Sequence, residues 1–237
     1  MNRQLRAIIA AASVVVLGSA ALVSNANAGP RVPQVPVLGG GLQAFFNSIG
    51  ESINVNTDQQ DLSVFQHSAS GNALLTIKYQ SSPNVPTQLV GIYNASAAIP
   101  PLFFVIQGSL GPLAFSSMSF KPGNFLTVNR FDANGNFIST TTFGGIDPTN
   151  FGFYLAVPFG TRFSQDYRNP GGLPHMLVYA GTGQNAGEFF LCWDEPSTGG
   201  AAGDQDFDDC VLVLESVSPL ATVPATIGGV KSLYRDK

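Results

Sequence analysis

Short runs of strand-forming residues, separated by turn-forming residues, dominate this chain from about residue 73 onward. The runs are rich in Phe, Val, Ile, Leu, Thr and Tyr, and Gly, Pro, Asn or Asp separate them. Many short strands with turn residues at fairly regular spacing predict an all-β sandwich of jelly-roll type in a single domain, residues 42–218. The runs predicted as strands are 73–79, 88–93, 102–107, 125–131, 137–143, 151–157, 175–180, 188–193 and 210–215.

Two local patterns predict particular elements of this domain. Asn134-Gly135 lies between two of the runs and is typical of a tight β-hairpin turn. Apolar residues recur at helical spacing in 42–49, which predicts one short N-terminal helix.

The composition excludes several classes of protein. Of 237 residues, 44% are hydrophobic and only 11% are charged, whereas a disordered chain is charge-rich and poor in apolar residues. Lys and Arg number 11 against 15 Asp and Glu, a net charge of −4, which argues against a nucleic-acid partner.

The first 28 residues have the pattern of a secretory signal peptide. A short basic start precedes a largely apolar stretch over residues 7–22, and Ala26-Asn27-Ala28 supplies a small-x-small cleavage site. We therefore expect a secreted or cell-surface protein without a transmembrane segment after cleavage; an N-terminal membrane anchor is the alternative. Gly- and Pro-rich residues 29–41 are interpreted as a linker, and residues 219–237 as a C-terminal tail.

Acidic residues concentrate between residues 188 and 215, which hold eight of the fifteen Asp and Glu. No Lys or Arg occurs between Arg168 and Lys231, so no basic neighbour in sequence offsets the repulsion among these carboxylates. A hard divalent cation would offset it. The alternative is a solvated acidic loop without a metal.

The spacing of the acids within this loop favours one ion. Asp204, Asp206 and Asp208 occupy alternate positions, and Asp209 follows directly, so their oxygens can converge. Calcium takes six to eight oxygen ligands. Zinc prefers Cys and His, and neither is interleaved here. Calcium is therefore the predicted cofactor.

Two cysteines flank the acidic loop. Cys192 lies near the end of one predicted strand, and Cys210 begins the next. If these strands pair as a hairpin, the two Cβ atoms could face each other, and export to an oxidising compartment favours pairing. We predict a Cys192–Cys210 disulfide, with two buried free thiols as the alternative.

The hairpin also carries a recognisable signature. Trp193-Asp194-Glu195 is an aromatic-acid-acid step, a Gly-rich loop follows, and Asp204-Gln205-Asp206-Phe207-Asp208-Asp209 precedes an apolar strand. This signature resembles that of the bacterial domain-of-unknown-function family numbered 4114, which is frequent among proteins sorted by the PEP-CTERM/exosortase system. The resemblance covers roughly residues 42–218. Similar stretches occur in the same order at 53–59, 91–93, 150–155 and 175–179.

The resemblance implies a secreted β-rich domain with a calcium site and no established enzyme activity. Asp208 departs from the family pattern, because Asn is common there. Residues 219–237 also lack the usual sorting tail of Pro-Glu-Pro, an apolar helix and a basic cluster. The resemblance carries a metal-ligand role onto Asp194, Glu195, Asp204, Asp206, Asp208 and Asp209.

The leading hypothesis is therefore a secreted calcium-binding module with a structural or binding role at the cell surface or in an extracellular matrix. Its expected partners are calcium and a glycan or matrix component. A carbohydrate-binding module is the alternative, with Trp193 and Tyr154 as the aromatic candidates. A hydrolase using two carboxylates such as Asp194 and Glu195 is less favoured, because acids clustered this tightly suit a cation better than an acid/base pair. No catalytic residue is assigned.

Overall fold

The computed structural model describes residues 29–196 and 203–220, so the predicted signal peptide and residues 221–237 of the predicted tail lie outside the described residues. The described chain forms one α-helix, α1 (Leu42–Ser48), five short 3-10 helices and fourteen strands. The strands are β1 (Gln59–Gln60), β2 (Phe65–His67), β3 (Asn72–Tyr79), β4 (Leu89–Asn94), β5 (Leu102–Gln107), β6 (Phe115–Lys121), β7 (Phe125–Phe131), β8 (Phe137–Gly144), β9 (Phe151–Val157), β10 (Gly160–Phe163), β11 (Met176–Ala180), β12 (Phe189–Trp193), β13 (Cys210–Glu215) and β14 (Val217–Pro219).

The strands pair into two antiparallel sheets. The large sheet has the order β1-β11-β12-β13-β3-β6-β7-β8, and the small sheet has the order β14-β2-β9-β4-β5, with β10 paired to β9. This arrangement confirms the predicted all-β sandwich. All nine predicted strands are present, and the turn with Asn134-Gly135 joins β7 to β8 as predicted.

The main core lies between the two sheets. On β3, Ala73, Leu75 and Ile77 are buried while the residues between them are partly exposed, which is the period-two alternation of a strand with one inward face. Ile92 of β4 and Phe153 of β9 belong to the same buried cluster from the small sheet. Burying one such side chain contributes about 1.5–3 kcal/mol, so these alternating positions drive the two sheets together.

A second buried cluster lies on the outer face of the large sheet, beneath α1. Phe46 of α1 packs edge-on against Phe190 of β12 and Tyr179 of β11, with ring centroids 5.0 Å and 5.3 Å apart. Leu42 and Phe45 are buried beside it, so the apolar stripe of the predicted helix faces the sheet. The helix covers β11, β12, β13 and Tyr79 at the end of β3. The outward residues of β6, β7 and β8 remain partly or fully exposed.

Residues 29–41 lie against the domain, whereas their Gly- and Pro-rich composition predicted a linker. Pro30 forms a β-bridge with Gln60, and the Arg31 amide donates to the Gln59 carbonyl at 2.8 Å. Arg31 also pairs with Asp166, and Val35 packs against the cluster beneath α1. The Gly- and Pro-rich composition therefore reflects an irregular but anchored segment. Within the described part of the chain, no helix has the length and apolarity needed to cross a membrane.

Candidate metal centre

The acidic residues lie where β12 ends and β13 begins. Residues 194–196 follow β12, residues 203–209 precede β13, and residues 197–202 of the connection are outside the described part. The register of the two strands pairs Trp193 with Cys210, which places both ends of the connection side by side. Two other segments border them: the end of the N-terminal segment at Gly41, and the stretch after β3 that begins near Ser81.

Four of the six predicted ligands converge. Asp194, Asp204, Asp206 and Asp209 each offer one carboxylate oxygen, and these four oxygens all lie within 4.8 Å of one another. Asp194 and Asp209 are buried, Asp206 is partly exposed, and Asp204 is exposed. The group therefore has a buried floor and one side that solvent can reach.

The backbone of residues 203–208 is wound so that its acids can gather. Gln205 and Phe207 have φ angles of +63° and +56°, in the left-handed region, where a non-glycine residue costs about 1–3 kcal/mol. The Phe207 side chain is fully buried in the cluster beneath α1, which anchors the loop. A Cβ at Gly203 would collide with the Asp194 carboxylate, so only glycine permits this approach.

The other two predicted ligands bind protein groups instead. Asp208 accepts hydrogen bonds from the Gly41 amide and the Ser81 hydroxyl, and so ties the loop to the N-terminal segment and to the end of β3. Glu195 accepts hydrogen bonds from the hydroxyl of Ser82 and from Asn84 Nδ2 at 2.7 Å. Neither carboxylate belongs to the convergent group. Their hydrogen bonds hold the acidic segments against neighbouring parts of the chain.

Three backbone amides orient the convergent carboxylates. The Glu195 amide donates to Asp209 Oδ2 at 2.7 Å, and the Gln205 amide donates to Asp194 Oδ1 at 2.8 Å. The Asp208 amide donates to Asp206 Oδ1 at 3.2 Å. The carboxylates are therefore held in place by the loop itself, a feature that spacing alone does not reveal.

Burial and mutual repulsion make ionisation unfavourable at this site. Burial raises the pKa of Asp209 to about 8, and neighbouring Glu195, Asp206 and Asp194 add to the effect. Burial likewise raises the pKa of Asp206 to about 6, with further contributions from Asp208, Asp204 and Asp194. The pKa of Glu195 is also raised by burial. A bound cation would reverse these effects because it favours the charged carboxylates.

Two basic residues, His175 and Arg162, lie near Asp194, and the sequence pattern did not predict them as part of the site. His175 is buried, and its Nδ1 lies 2.9 Å from the Asp194 carbonyl oxygen and 3.4 Å from Asp194 Oδ2. Burial lowers the pKa of Arg162, and the nearby Asp194 carboxylate opposes that shift. Both residues come from the strands and loops around β10 and β11, far away in sequence, so no local pattern could have linked them to the acidic loop.

The structure does not form the predicted Cys192–Cys210 disulfide. Both cysteines are free and buried. In the register, Cys192 pairs with Val211 and Cys210 with Trp193, so the two thiols are one step apart. Adjacent positions point to opposite faces of a sheet, and Cys192 accordingly lies beneath α1 while Cys210 lies in the core between the sheets.

The two aromatic residues named for carbohydrate binding are also unavailable. Trp193 is fully buried and Tyr154 is only 4% exposed, so neither offers a ring face to a ligand. Trp193 belongs to the core cluster between the sheets, and Tyr154 packs with Val64, Tyr93 and Ala95 in a separate buried cluster.

Comparisons with known proteins add no assignment. No protein-family model matches the chain, and no curated protein matches it at significant similarity. The resemblance to the family numbered 4114 therefore stays a prediction.

Proposed function

We propose that this chain is a secreted, calcium-binding β-sandwich module with a structural or binding role at the cell surface or in an extracellular matrix. The convergence of Asp194, Asp204, Asp206 and Asp209 carries the proposal. Four carboxylate oxygens within 4.8 Å of one another form a donor set that suits a hard divalent cation. The signal-peptide pattern of residues 1–28 supports export.

The irregular loop favours calcium over magnesium. Calcium accepts six to eight oxygens in flexible geometry, whereas magnesium demands a near-ideal octahedron and gives up water reluctantly. The four carboxylates come from two segments with unequal exposure, and Asp204 on the exposed side leaves room for water to complete the shell. Extracellular calcium modules bind with Kd values of about 10⁻⁴–10⁻³ M, which suits a partly open site of this kind.

The ion would act mainly on the loop between β12 and β13. That loop contains two left-handed non-glycine residues and several repelling carboxylates, and both features oppose its folded conformation. A cation bound only by the folded protein offsets the repulsion and stabilises the whole domain by mass action. The proposed structural role is therefore to hold the connection between two central strands of the large sheet.

Thermal unfolding of wild type and Asp206→Asn, each in EDTA, in millimolar calcium and in millimolar magnesium, tests the proposal. Asn keeps the shape of Asp206 and removes one charge of the convergent group. At calcium concentrations about one hundred times Kd, wild type gains about 2.7 kcal/mol of stability over EDTA, and magnesium produces a smaller gain. The calcium gain of the variant is expected to be small.

Glu215→Gln is the matched control, because Glu215 is an acid at the opposite end of β13 and is not in the convergent group. It should respond to calcium as wild type does. Equal unfolding midpoints of wild type in EDTA and calcium, together with no calcium binding in calorimetry, would show that the acids form only a solvated loop.

A further inference from the structure

The large sheet presents a second feature on its outer face, away from α1. We call the outward side of β6, β7 and β8 the open face. Along β6 and β7 the inward residues are buried, and along β8 they are partly exposed. The outward residues of all three strands are partly or fully exposed. Within this part of the described chain, the outward side chains are Ser, Thr, Asn, Phe and the 45% exposed Ile138, and Lys121 at the end of β6 is the one charged member.

Polar side chains form two rows across the middle of the open face. In the cross-strand register, Asn129 of β7 lies between Ser117 and Thr140, and Thr127 lies between Ser119 and Thr142. Thr140 Oγ1 donates to Asn129 Oδ1 at 2.6 Å, and the hydroxyls of Thr127 and Thr142 are 3.2 Å apart. These contacts orient the groups but leave hydrogen-bonding positions free for a ligand, because a hydroxyl offers one donor and two acceptor positions.

Aromatic rings lie at both ends of these polar rows. At one end, Phe115 and Phe131 stack with centroids 4.7 Å apart, and Phe137 packs edge-on against Phe131 at 5.9 Å. At the other end, Phe125 is 49% exposed, beside Gly144, whose missing side chain leaves the ring uncovered. Phe125 and Phe131 are six residue steps apart along β7, a span of about 20 Å.

Phe137 is 59% exposed, so both aromatic ends reach solvent. Single exposed apolar residues are common and need no explanation. Here, however, two exposed aromatic sites bracket an uncharged strip of hydroxyl and amide groups on one sheet face. A ligand that matches this strip must be long, neutral and rich in hydroxyls, and must also have apolar surfaces that pack on rings.

We propose that the open face binds a neutral polysaccharide. The hydroxyl and amide groups of the two polar rows pair with sugar hydroxyls, and Phe125 and Phe137 pack against the C–H faces of sugar rings. The near absence of charge selects against acidic polymers, which need Lys or Arg partners. This site is distinct from Trp193 and Tyr154, the aromatic residues that the sequence suggested and the fold buries.

The competing occupant is a second copy of the chain. Strand β8 is the edge strand of the large sheet and carries no charged residue or proline, and such edges can pair with another chain. Pairing of two copies through β8 would use backbone groups of the edge, whereas a polysaccharide would use the side chains of three strands.

Affinity electrophoresis in native gels, run in millimolar calcium, tests the proposal. The gels contain hydroxyethylcellulose, xylan, galactomannan or dextran as neutral probes, and alginate as an acidic probe. Wild type should be retarded by at least one neutral polymer and not by alginate. Phe125→Ala and Phe137→Ala should each weaken that binding about tenfold, because each removes an aromatic anchor.

Phe159→Ala is the matched control: Phe159 is 43% exposed, but it lies in the turn between β9 and β10 of the small sheet. It should bind as wild type does. Phe125→Leu and Phe137→Leu keep apolar volume but lack the ring, and they should also bind more weakly, which separates loss of the ring from loss of folding.

Three results would overturn the proposal. The first is that no neutral polymer retards wild type, or that alginate alone does. The second is that Phe159→Ala weakens binding as much as the open-face variants do. The third is that sedimentation shows a dimer that Phe137→Ala dissociates, which would assign the open face to a second copy of the chain.

Discussion

The environment of Asp209 is unfavourable for a charge, because burial and neighbouring carboxylates raise the pKa of this acid. The residue is 8% exposed, and its carboxylate accepts a hydrogen bond from the Glu195 amide while facing other carboxylates. A carboxylate in this position is stable only when a proton or a cation neutralises it. If the proposed calcium ion binds here, we expect it to compete with a proton at Asp209.

This competition predicts how the metal-free protein responds to pH. The pKa of Asp209 is about 8 in the folded protein and near 3.8 in the unfolded chain. An acid with a raised folded pKa favours folding while protonated, so this contribution is full below about pH 4 and is lost as the pH rises towards 8. In EDTA, the unfolding midpoint of wild type should fall between about pH 5 and about pH 8.

Asp209→Asn is the variant that isolates this group, because its amide oxygen can still accept from the Glu195 amide but does not ionise. Its midpoint in EDTA should depend less on pH than that of wild type. Parallel pH profiles of the two proteins would show that Asp209 does not titrate in this range.

The opposite orientation of Cys192 and Cys210 predicts two inert thiols. Burial raises the pKa of both thiols and keeps them protonated, and solvent does not reach them. The native protein should therefore resist a thiol-specific reagent for hours, whereas the unfolded protein should take up two equivalents without prior reduction. Unfolded protein that reacts only after reduction would instead demonstrate the disulfide.

At the scale of elements, the N-terminal segment and the acidic loop support each other. The Leu38 amide donates to the Gln205 carbonyl at 2.9 Å, and the Gly41 amide donates to Asp208. Gly40 approaches Asp206 so closely that a Cβ at residue 40 would lie 2.5 Å from Asp206 Cβ. The segment that precedes α1 is thus one wall of the candidate metal centre.

Gly40→Ala and Gly39→Ala form a matched pair that tests this contact. Both glycines have positive φ angles, +66° and +75°, so alanine strains the backbone equally at either position. Only the alanine at residue 40 would push against Asp206, since a Cβ at residue 39 meets nothing within 4 Å.

Calcium titration by calorimetry should therefore show weaker binding for Gly40→Ala, by about tenfold, a loss of about 1.4 kcal/mol. Gly39→Ala should retain the wild-type affinity. Equal affinities of the two variants would mean that the N-terminal segment does not shape the site.

At the scale of the whole molecule, the large sheet has two different outer halves. The half formed by β11, β12 and β13 is apolar and covered by α1, whereas the half formed by β6, β7 and β8 is polar and open. The covered half contributes to stability, because it buries a second cluster in addition to the core between the sheets. The open half contributes little and is available for binding.

Substitutions of Phe46 and Phe137 compare the contributions of the two halves to the free energy of unfolding. Phe46 is fully buried beneath α1, and Phe46→Ala should lower the free energy of unfolding by about 3–5 kcal/mol. Phe137 is 59% exposed on the open face, and Phe137→Ala should change it by less than about 0.5 kcal/mol. Urea denaturation of both variants, in calcium, checks the prediction; comparable losses would contradict the division of the sheet into a covered and an open half.

The residues alone were sufficient for the sandwich, because strand propensity and period-two alternation are local properties. Nine strands, the short helix and the turn at Asn134-Gly135 all follow from them. Local properties did not predict five further strands: β1, β2, β6, β10 and β14. Four of them have only two to four residues, and β6, Phe115–Lys121, interrupts its apolar residues with serines. Strands β1, β2 and β14 pair with strands that are distant in sequence, whereas β10 and β6 form hairpins with β9 and β7. Pairing, rather than a local pattern, makes these segments strands.

The sequence likewise predicted only part of the candidate metal centre. The sequence alone identified an acidic loop and a pattern of alternate aspartates, since both are visible in one short segment. Only the tertiary structure decided that Asp194 and Asp209 join Asp204 and Asp206, while Asp208 and Glu195 bind Gly41, Ser81, Ser82 and Asn84. The tertiary structure also determined that the two thiols remain free and that Trp193 is buried. Both follow from strand register, because a one-residue step moves a side chain to the opposite face of the sheet.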